Sequence, residues 1–276
     1  MEKSQFSVVL PSNSSMDVFP DNRTSSYKVV LPDTLELDRE RYEVALSEIQ
    51  FPVTWYNVRK GKNFFDKVVY NLTEDEFYER NAMIPEDMDR KSTADFKPPI
   101  PITYKISIPS GYYSTPEEIV AQLNEGEAKM FRPIKFHYDP IGRRIKMEME
   151  KDCVLQTRSS GIAVCLGFHA EEYKAENVKA NFVSESIASV NSMYHSVYVY
   201  TNIIENQHTG NYKVPLLRVV PVRAKYGNLS CVNYDRPHFM PLSQSNVHTI
   251  EVDLRDSTGD LISFESGKVV VTLLFR

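Results

Sequence analysis

The chain has 276 residues and a mass of 31.8 kDa, room for one large β-rich domain or two smaller units. Its 42% hydrophobic and 25% charged residues exclude a chain disordered throughout, and 10 Gly against 16 Pro exclude collagen-like and linker-like sequences. A net charge of −5 argues against nonspecific wrapping of nucleic acid, where neutralising phosphate supplies most of the affinity.

In chain order, short strand patterns separated by turn chemistry come first. Phe6 to Leu10 and Tyr27 to Leu31 are predicted strands, each ended by a proline that cannot donate to a ladder. The Asn-, Asp-, Ser- and Pro-rich stretch between them reads as a loop. From Tyr42 to Phe51, Tyr42, Val44 and Leu46 alternate before Ile49 and Phe51 take the other parity, which predicts a bulge or a bend. Just beyond lies the one Trp, beside a Tyr. Trp55, Tyr56 and Asn57 are therefore the candidate interface residues, with core packing as the alternative reading.

The middle of the chain differs. Phe64 to Tyr70 reads as a strand, and Asn71 to Pro101 as a long exposed loop with one turn of helix. Ile102, Tyr104, Ile106 and Ile108 alternate as in a half-buried strand. Thr115-Pro116-Glu117-Glu118 combines an N-cap, a first-turn proline and a capping-box Glu, so a helix starts there and Gly126 ends it. Asp139 to Gly142 predicts a turn joining Ile134–Tyr138 to Arg143–Met149. A short helix from Ser160 to Leu166, capped by Gly167, follows.

From Met193 onward the pattern is strand after strand: Met193–Tyr200, Leu216–Val222, Leu229–Val232, Val247–Leu254 and Val269–Phe275, the last read as buried on both faces. These patterns fit a β-sandwich split in sequence around an α+β segment.

Catalytic chemistry has little to stand on. The sequence lacks the phosphate-loop, dinucleotide, hydrolase-elbow and H-E-x-x-H motifs. No catalytic, cofactor-binding or metal residue is assigned. Cys153, Cys165 and Cys231 read as packing groups in a reducing compartment, and His195 as a structural histidine. Glu74, Asp75, Glu76 and Glu79 lack calcium-loop spacing and read as a solvated face, as do Arg143, Arg144 and Lys146. No apolar run approaches the roughly 18 residues of a membrane span. The opening residues predict no signal peptide.

Several strings, taken in order, carry a family resemblance. FSVVLPSNSSMDVFPDNRTSSYKVVLP, EVALSEIQFP and TWYNV resemble the penton (minor capsid) proteins of Polinton/Maverick-type elements and adintoviruses. ISIPSGYYSTPEEIVAQLNE, FHYDPIGRRIKM and VCLGF are similar to that family's inserted segment. YVYTNIIENQ, VPLLRVVPV and SGKVVVTLLFR are similar to its C-terminal strands. The Gly and Trp common before the EVAL segment are replaced here by Asp38 to Tyr42.

The residue patterns divide a mainly β chain into a β-sandwich of residues 1–57 and 190–276 and a large α+β insertion at 58–189 with a long loop at 71–101, and the resemblance implies that the sandwich is a single jelly roll. It implies a structural, non-enzymatic capsid vertex protein, self-assembled as a homopentamer at icosahedral fivefold vertices. Its partners would be its own copies, a double jelly-roll major capsid protein and, as a further candidate, a host surface receptor. Its place would be the virion capsid, assembled inside the host cell. Two other readings stay open. One is a monomeric β-sandwich module binding a glycan or protein through residues 58–101 or Asn202–Tyr212. The other is a metal-dependent jelly-roll enzyme.

Overall fold

The computed structural model describes residues 5–83, 101–128, 130–158, 160–191 and 194–276. Two compact units divide the chain, one made of Met1–Tyr56 with Met193–Arg276 and the other of Asn57–Ser192.

The first unit opens with β1 (Phe6–Pro11), β2 (Ser26–Glu36) and β3 (Glu43–Pro52). The second holds β4 (Phe64–Val69), α1 (Glu74–Met83), β5 (Ile102–Ser107), α2 (Pro116–Glu127), β6 (Lys135–Asp139) and β7 (Arg144–Glu150). It continues with β8 (Cys153–Gln156), α3 (Gly161–Leu166), β9 (Glu172–Lys174) and β10 (Lys179–Val183). The first unit resumes with β11 (Ser196–Thr201), β12 (Gln207–Thr209), β13 (Tyr212–Val214) and β14 (Leu216–Pro221). It closes with β15 (Leu229–Asn233), β16 (Met240–Pro241), β17 (Asn246–Arg255) and β18 (Val270–Phe275).

Two antiparallel sheets build the first unit. One has the order β1-β18-β3-β15, with β16 also paired to β3, and the other has the order β14-β11-β17-β2. Counting the eight long strands of this unit in sequence, the orders are 1-8-3-6 and 5-4-7-2, the jelly-roll arrangement of two Greek keys. Alternation explains the burial: Tyr27, Val29 and Leu31 on β2 and Ile250, Val252 and Leu254 on β17 point into one apolar cluster with Leu46, Ile49 and Phe51 of β3. The parity switch in β3 is a bulge at Ser47, whose neighbours Leu46 and Glu48 pair Leu273 and Thr272 consecutively on β18. Ser47 Oγ donates to the Thr272 carbonyl at 3.0 Å, so the extra residue is bonded in place.

Some boundaries differ from the sequence expectation. Strand β2 runs past Pro32 to Glu36: residues 31–34 are unpaired opposite His248, with Leu31 still buried and 32–34 exposed, and pairing resumes at Leu35–Val247. On β18, Val271, Leu273 and Phe275 are fully buried while Val270, Thr272 and Leu274 are only half-buried, so one face rather than both is dry. His195 is exposed, just ahead of β11.

The second unit has a three-stranded sheet, β10-β7-β6, and a four-stranded sheet, β5-β4-β8-β9, sharing one core. Helix α2 starts as its sequence dictates: Thr115 Oγ1 accepts from Glu118 N, with Pro116 in the first turn. It runs through Gly126 to Glu127, because Glu127 is drawn into the core. Helix α3 is capped by Ser160 and closed by Gly167 at φ 80°. Residues 74–83, read from sequence as part of a long loop with one turn of helix, form the 10-residue α1; Thr73 and Glu76 make reciprocal capping bonds at its start. Residues 84–100 of the expected long loop lie outside the described residues.

Candidate functional site

The sandwich of the first unit has two sides formed by edge strands. Strands β1 and β2 are the edge strands on one side, β14 and β15 on the other. Each side carries a tie between the sheets. Tyr27 OH of β2 donates to the Leu10 carbonyl of β1 at 3.0 Å. Burial raises the Tyr27 phenol well above its ordinary pKa, so it stays a donor. On the other side the Arg218 guanidinium of β14 lies 4.3 Å from the ring centroid of Tyr234, just past β15. Val9 and Val18 are exposed on or beside the first edge, and Val219 and Leu229 on the second. Isolated exposed apolar groups are ordinary; here Val9, Val219 and Leu229 sit on edge strands, while Val18 lies in the loop that partly covers the β2 edge, where Ser15 Oγ accepts from Val30 N and Asn22 Oδ1 from Lys28 N.

The sequence candidates are placed as follows. Trp55 is 2% exposed, stacked on Tyr194 at 5.2 Å and Phe51 at 6.3 Å and met edge-on by Phe264 at 5.7 Å. Tyr56 is half-buried. Asn57 is buried in the second unit, where it donates to the Tyr113 carbonyl and accepts from Tyr113 N, a two-way brace at 2.8 and 2.9 Å. Within a single chain, Trp55 is thus a packing group and Asn57 a bracing group, and Tyr56 alone offers surface. Asn202–Tyr212 is anchored only at its start, where Ile203 and Ile204 are buried and the Asn202 side chain bonds Thr249 O and Glu251 N of β17; β12 and its turn into β13 follow as an exposed hairpin, with Tyr212 73% exposed.

At one end of the sandwich, Ser12, Asn22, Arg23, Thr24 and Lys268 line a cavity of about 500 Å³. Much of its polar lining is already bonded: Asn22 brackets Lys28, Thr24 Oγ1 donates to Gly267 O, and Ser12 Oγ accepts from Val269 N. Arg23 and Lys268 carry its charge.

Nucleophilic chemistry is poorly provided for. Among the described residues no group of three His, Cys, Asp or Glu side chains is placed to hold a metal ion. Burial pushes the Cys153 thiol up to about 11, and burial followed by the Glu48 carboxylate raises Cys231. The second unit does contain a base beside a hydroxyl that the sequence reading missed, since the partners are 17 residues apart: His169 Nε2 lies 2.7 Å from Ser186 Oγ. The neighbouring Glu185 carboxylate accepts from Tyr173 OH and from the His169 main chain, and none of its hydrogen bonds goes to the imidazole, so a relay is not assembled. Burial and that carboxylate push the Tyr173 phenol up to about 12.

The basic turn serves the fold. Arg144 donates to the Ser184 carbonyl and Lys146 lies 3.5 Å from Asp139.

With two sheets in jelly-roll order and a second compact unit between the third and fourth long strands, the chain can be set against solved structures. The crystal structure of the selenomethionine-labelled mavirus penton protein aligns with 99% of this chain and 99% of its own, at a TM-score of 0.50 and 10% identity. The fold is that of the mavirus penton protein. The match to the penton fold takes in the inserted unit as well as the sandwich, since almost nothing of either chain is left over. A chain of the Sputnik virophage cryo-EM structure aligns over 99% of this chain and 98% of its own, with a TM-score of 0.45 and 8% identity. No protein-family model and no curated protein sequence matches the chain. None of the described helices is long and apolar enough to cross a membrane.

Proposed function

We propose that the chain is a non-enzymatic capsid vertex protein whose activity is assembly: a homopentamer at icosahedral fivefold vertices, beside a double jelly-roll major capsid protein. The observation that carries this reading is the penton-fold match over 99% of both chains, sandwich and inserted unit together. A ring gives physical sense to the open sandwich sides, because a head-to-tail contact covers strand edges that otherwise invite aggregation. In this reading the virion capsid is the protein's location and the relationship is to Polinton/Maverick-type elements and adintoviruses. The sandwich of 1–57 and 190–276 makes the ring, and the 58–189 segment is an elaboration carried on it. Of Trp55, Tyr56 and Asn57, we keep Tyr56 as the direct interface contact.

Light scattering across a concentration series tests it. A mass near five times 31.8 kDa, alone or rising with protein concentration, supports the vertex reading. A monomer at every concentration, with or without a major capsid protein, overturns it. The end cavity with Arg23 and Lys268 then favours the recognition-module reading, with an anionic or glycan ligand to be sought there.

A further inference from the structure

We infer that the β14–β15 side of one jelly roll docks against the β1–β2 side of a second copy of this chain, the two sides being opposite in charge. The inference rests on the vertex reading and adds which surfaces meet. Residues 213–234, which carry β14, β15 and their connection, hold Lys213, Arg218, Arg223 and Lys225 and no carboxylate. Arg223 and Lys225 are exposed in that connection, with no ion pair among the described residues. The nearest acid on the adjoining strand, Glu48 of β3, is already bonded by Gln50 and by the Cys231 thiol.

Residues 5–36, which carry β1, β2 and their connection, hold Asp17, Asp21, Asp33 and Glu36. All four are exposed, and none has an ion pair among the described residues. Of the two cations in that stretch, Lys28 is paired with Glu251 at 3.2 Å and Arg23 lines the end cavity. The basic side adds exposed Val219 and Leu229, and the acidic side adds Val9, Met16 and Val18.

This distribution selects a mode of assembly. Two basic sides or two acidic sides repel, so a twofold contact between like sides is disfavoured. Basic against acidic is a contact between different surfaces, which repeats head to tail and closes into a ring when the rotation allows. The unpaired residues at Pro32 and Asp33 interrupt the β2 edge, so the contact is made by side chains rather than by continuing a sheet from copy to copy.

Charge reversal tests the pairing. Three variants are compared with the parent chain by light scattering, after each is shown to keep the parent melting temperature: Arg223→Glu with Lys225→Glu, Asp21→Lys with Asp33→Lys, and all four together. Each double variant is expected to need about tenfold more protein, or more, for half-assembly, while the fourfold variant returns to near the parent value. If the parent assembles and the double variants assemble equally well, or if the fourfold variant is not restored, the pairing is overturned and the vertex reading stands. If the parent itself never leaves the monomer, the vertex reading fails and the pairing falls with it.

Discussion

Lys67 Nζ lies 2.5 Å from Glu127 Oε2, with the two side chains 0% and 1% exposed. The same carboxylate oxygen accepts from Ile134 N at 2.6 Å, and one turn earlier Asn124 bonds both Phe136 N and Phe136 O. Helix α2 thus uses two side chains as a substitute strand along the chain entering β6. Removing one charge strands the other in the core. Lys67→Met is expected to cost about 3–5 kcal/mol, while Lys67→Met with Glu127→Leu should cost less, about 1–3 kcal/mol for the buried Ile134 N–H left without its acceptor. Urea unfolding of the two variants and the parent checks this; equal losses would mean the pair is not the buried unit described here.

The pair also shows where sequence reading stops. In FFDKVV, Lys67 shares a face with Phe65 and Val69, which marks it as inward-pointing, but its partner is 60 residues away and comes from a helix. Strands with clean alternation, such as β17, and caps written into adjacent residues, such as Thr115 and Ser160, were legible because their cause is local. So was the Ser47 bulge. Strand β18, apolar at nearly every position, was legible as a strand but not in which face it buries. Helix α1 was legible only as a single turn because Phe77, with Leu72 just ahead of it, gives little apolar periodicity, although the Thr73–Glu76 capping box was readable. The charge contrast between the open sides has no meaning until the strand order puts β1 with β2 and β14 with β15.

Trp55 separates a core role from an interface role. A Trp buried against Tyr194, Phe51 and Phe264 should cost about 3–5 kcal/mol on truncation to Ala, in the monomer and independently of assembly. Trp55→Phe should cost much less. Since no second Trp exists, Trp55→Ala is followed by circular dichroism rather than fluorescence. Unchanged monomer stability with lost assembly would return Trp55 to the interface.

Gly167 ends α3 in the left-handed region, at φ 80°, and a Cβ there would overlap the Ser186 carbonyl oxygen. That oxygen belongs to the segment that also presents Ser186 to His169 and Ser184 to Ile145 N. Gly167→Ala adds backbone strain of roughly 1–2 kcal/mol to that collision. A loss above about 2 kcal/mol is expected, with hydrogen exchange quickening around 184–189. Parent-like exchange there would mean the two segments are not in register as described.

Glu76 gives the second unit an acid-sensitive joint. Its carboxylate accepts from Arg132 Nε and Nη2 at 2.9 and 2.8 Å, and Arg132 also donates to the Tyr70, Asn71 and Lys151 carbonyls. The Arg132 hydrogen bond, working against partial burial, pushes Glu76 from its ordinary 4.5 down to about 2, and the same contact raises Arg132. A carboxylate whose pKa is lowered on folding contributes stability that is complete above the unfolded value and disappears as pH falls through the folded one. The second unit should therefore hold its melting temperature above about pH 5 and lose stability between about 4.5 and 2. Glu76→Gln should lower stability at pH 7 and flatten that acid slope. Since Trp55 reports on the first unit, hydrogen exchange over residues 70–77 and 130–153 is the measurement. Identical acid slopes in parent and Glu76→Gln would show that other carboxylates set the acid limit.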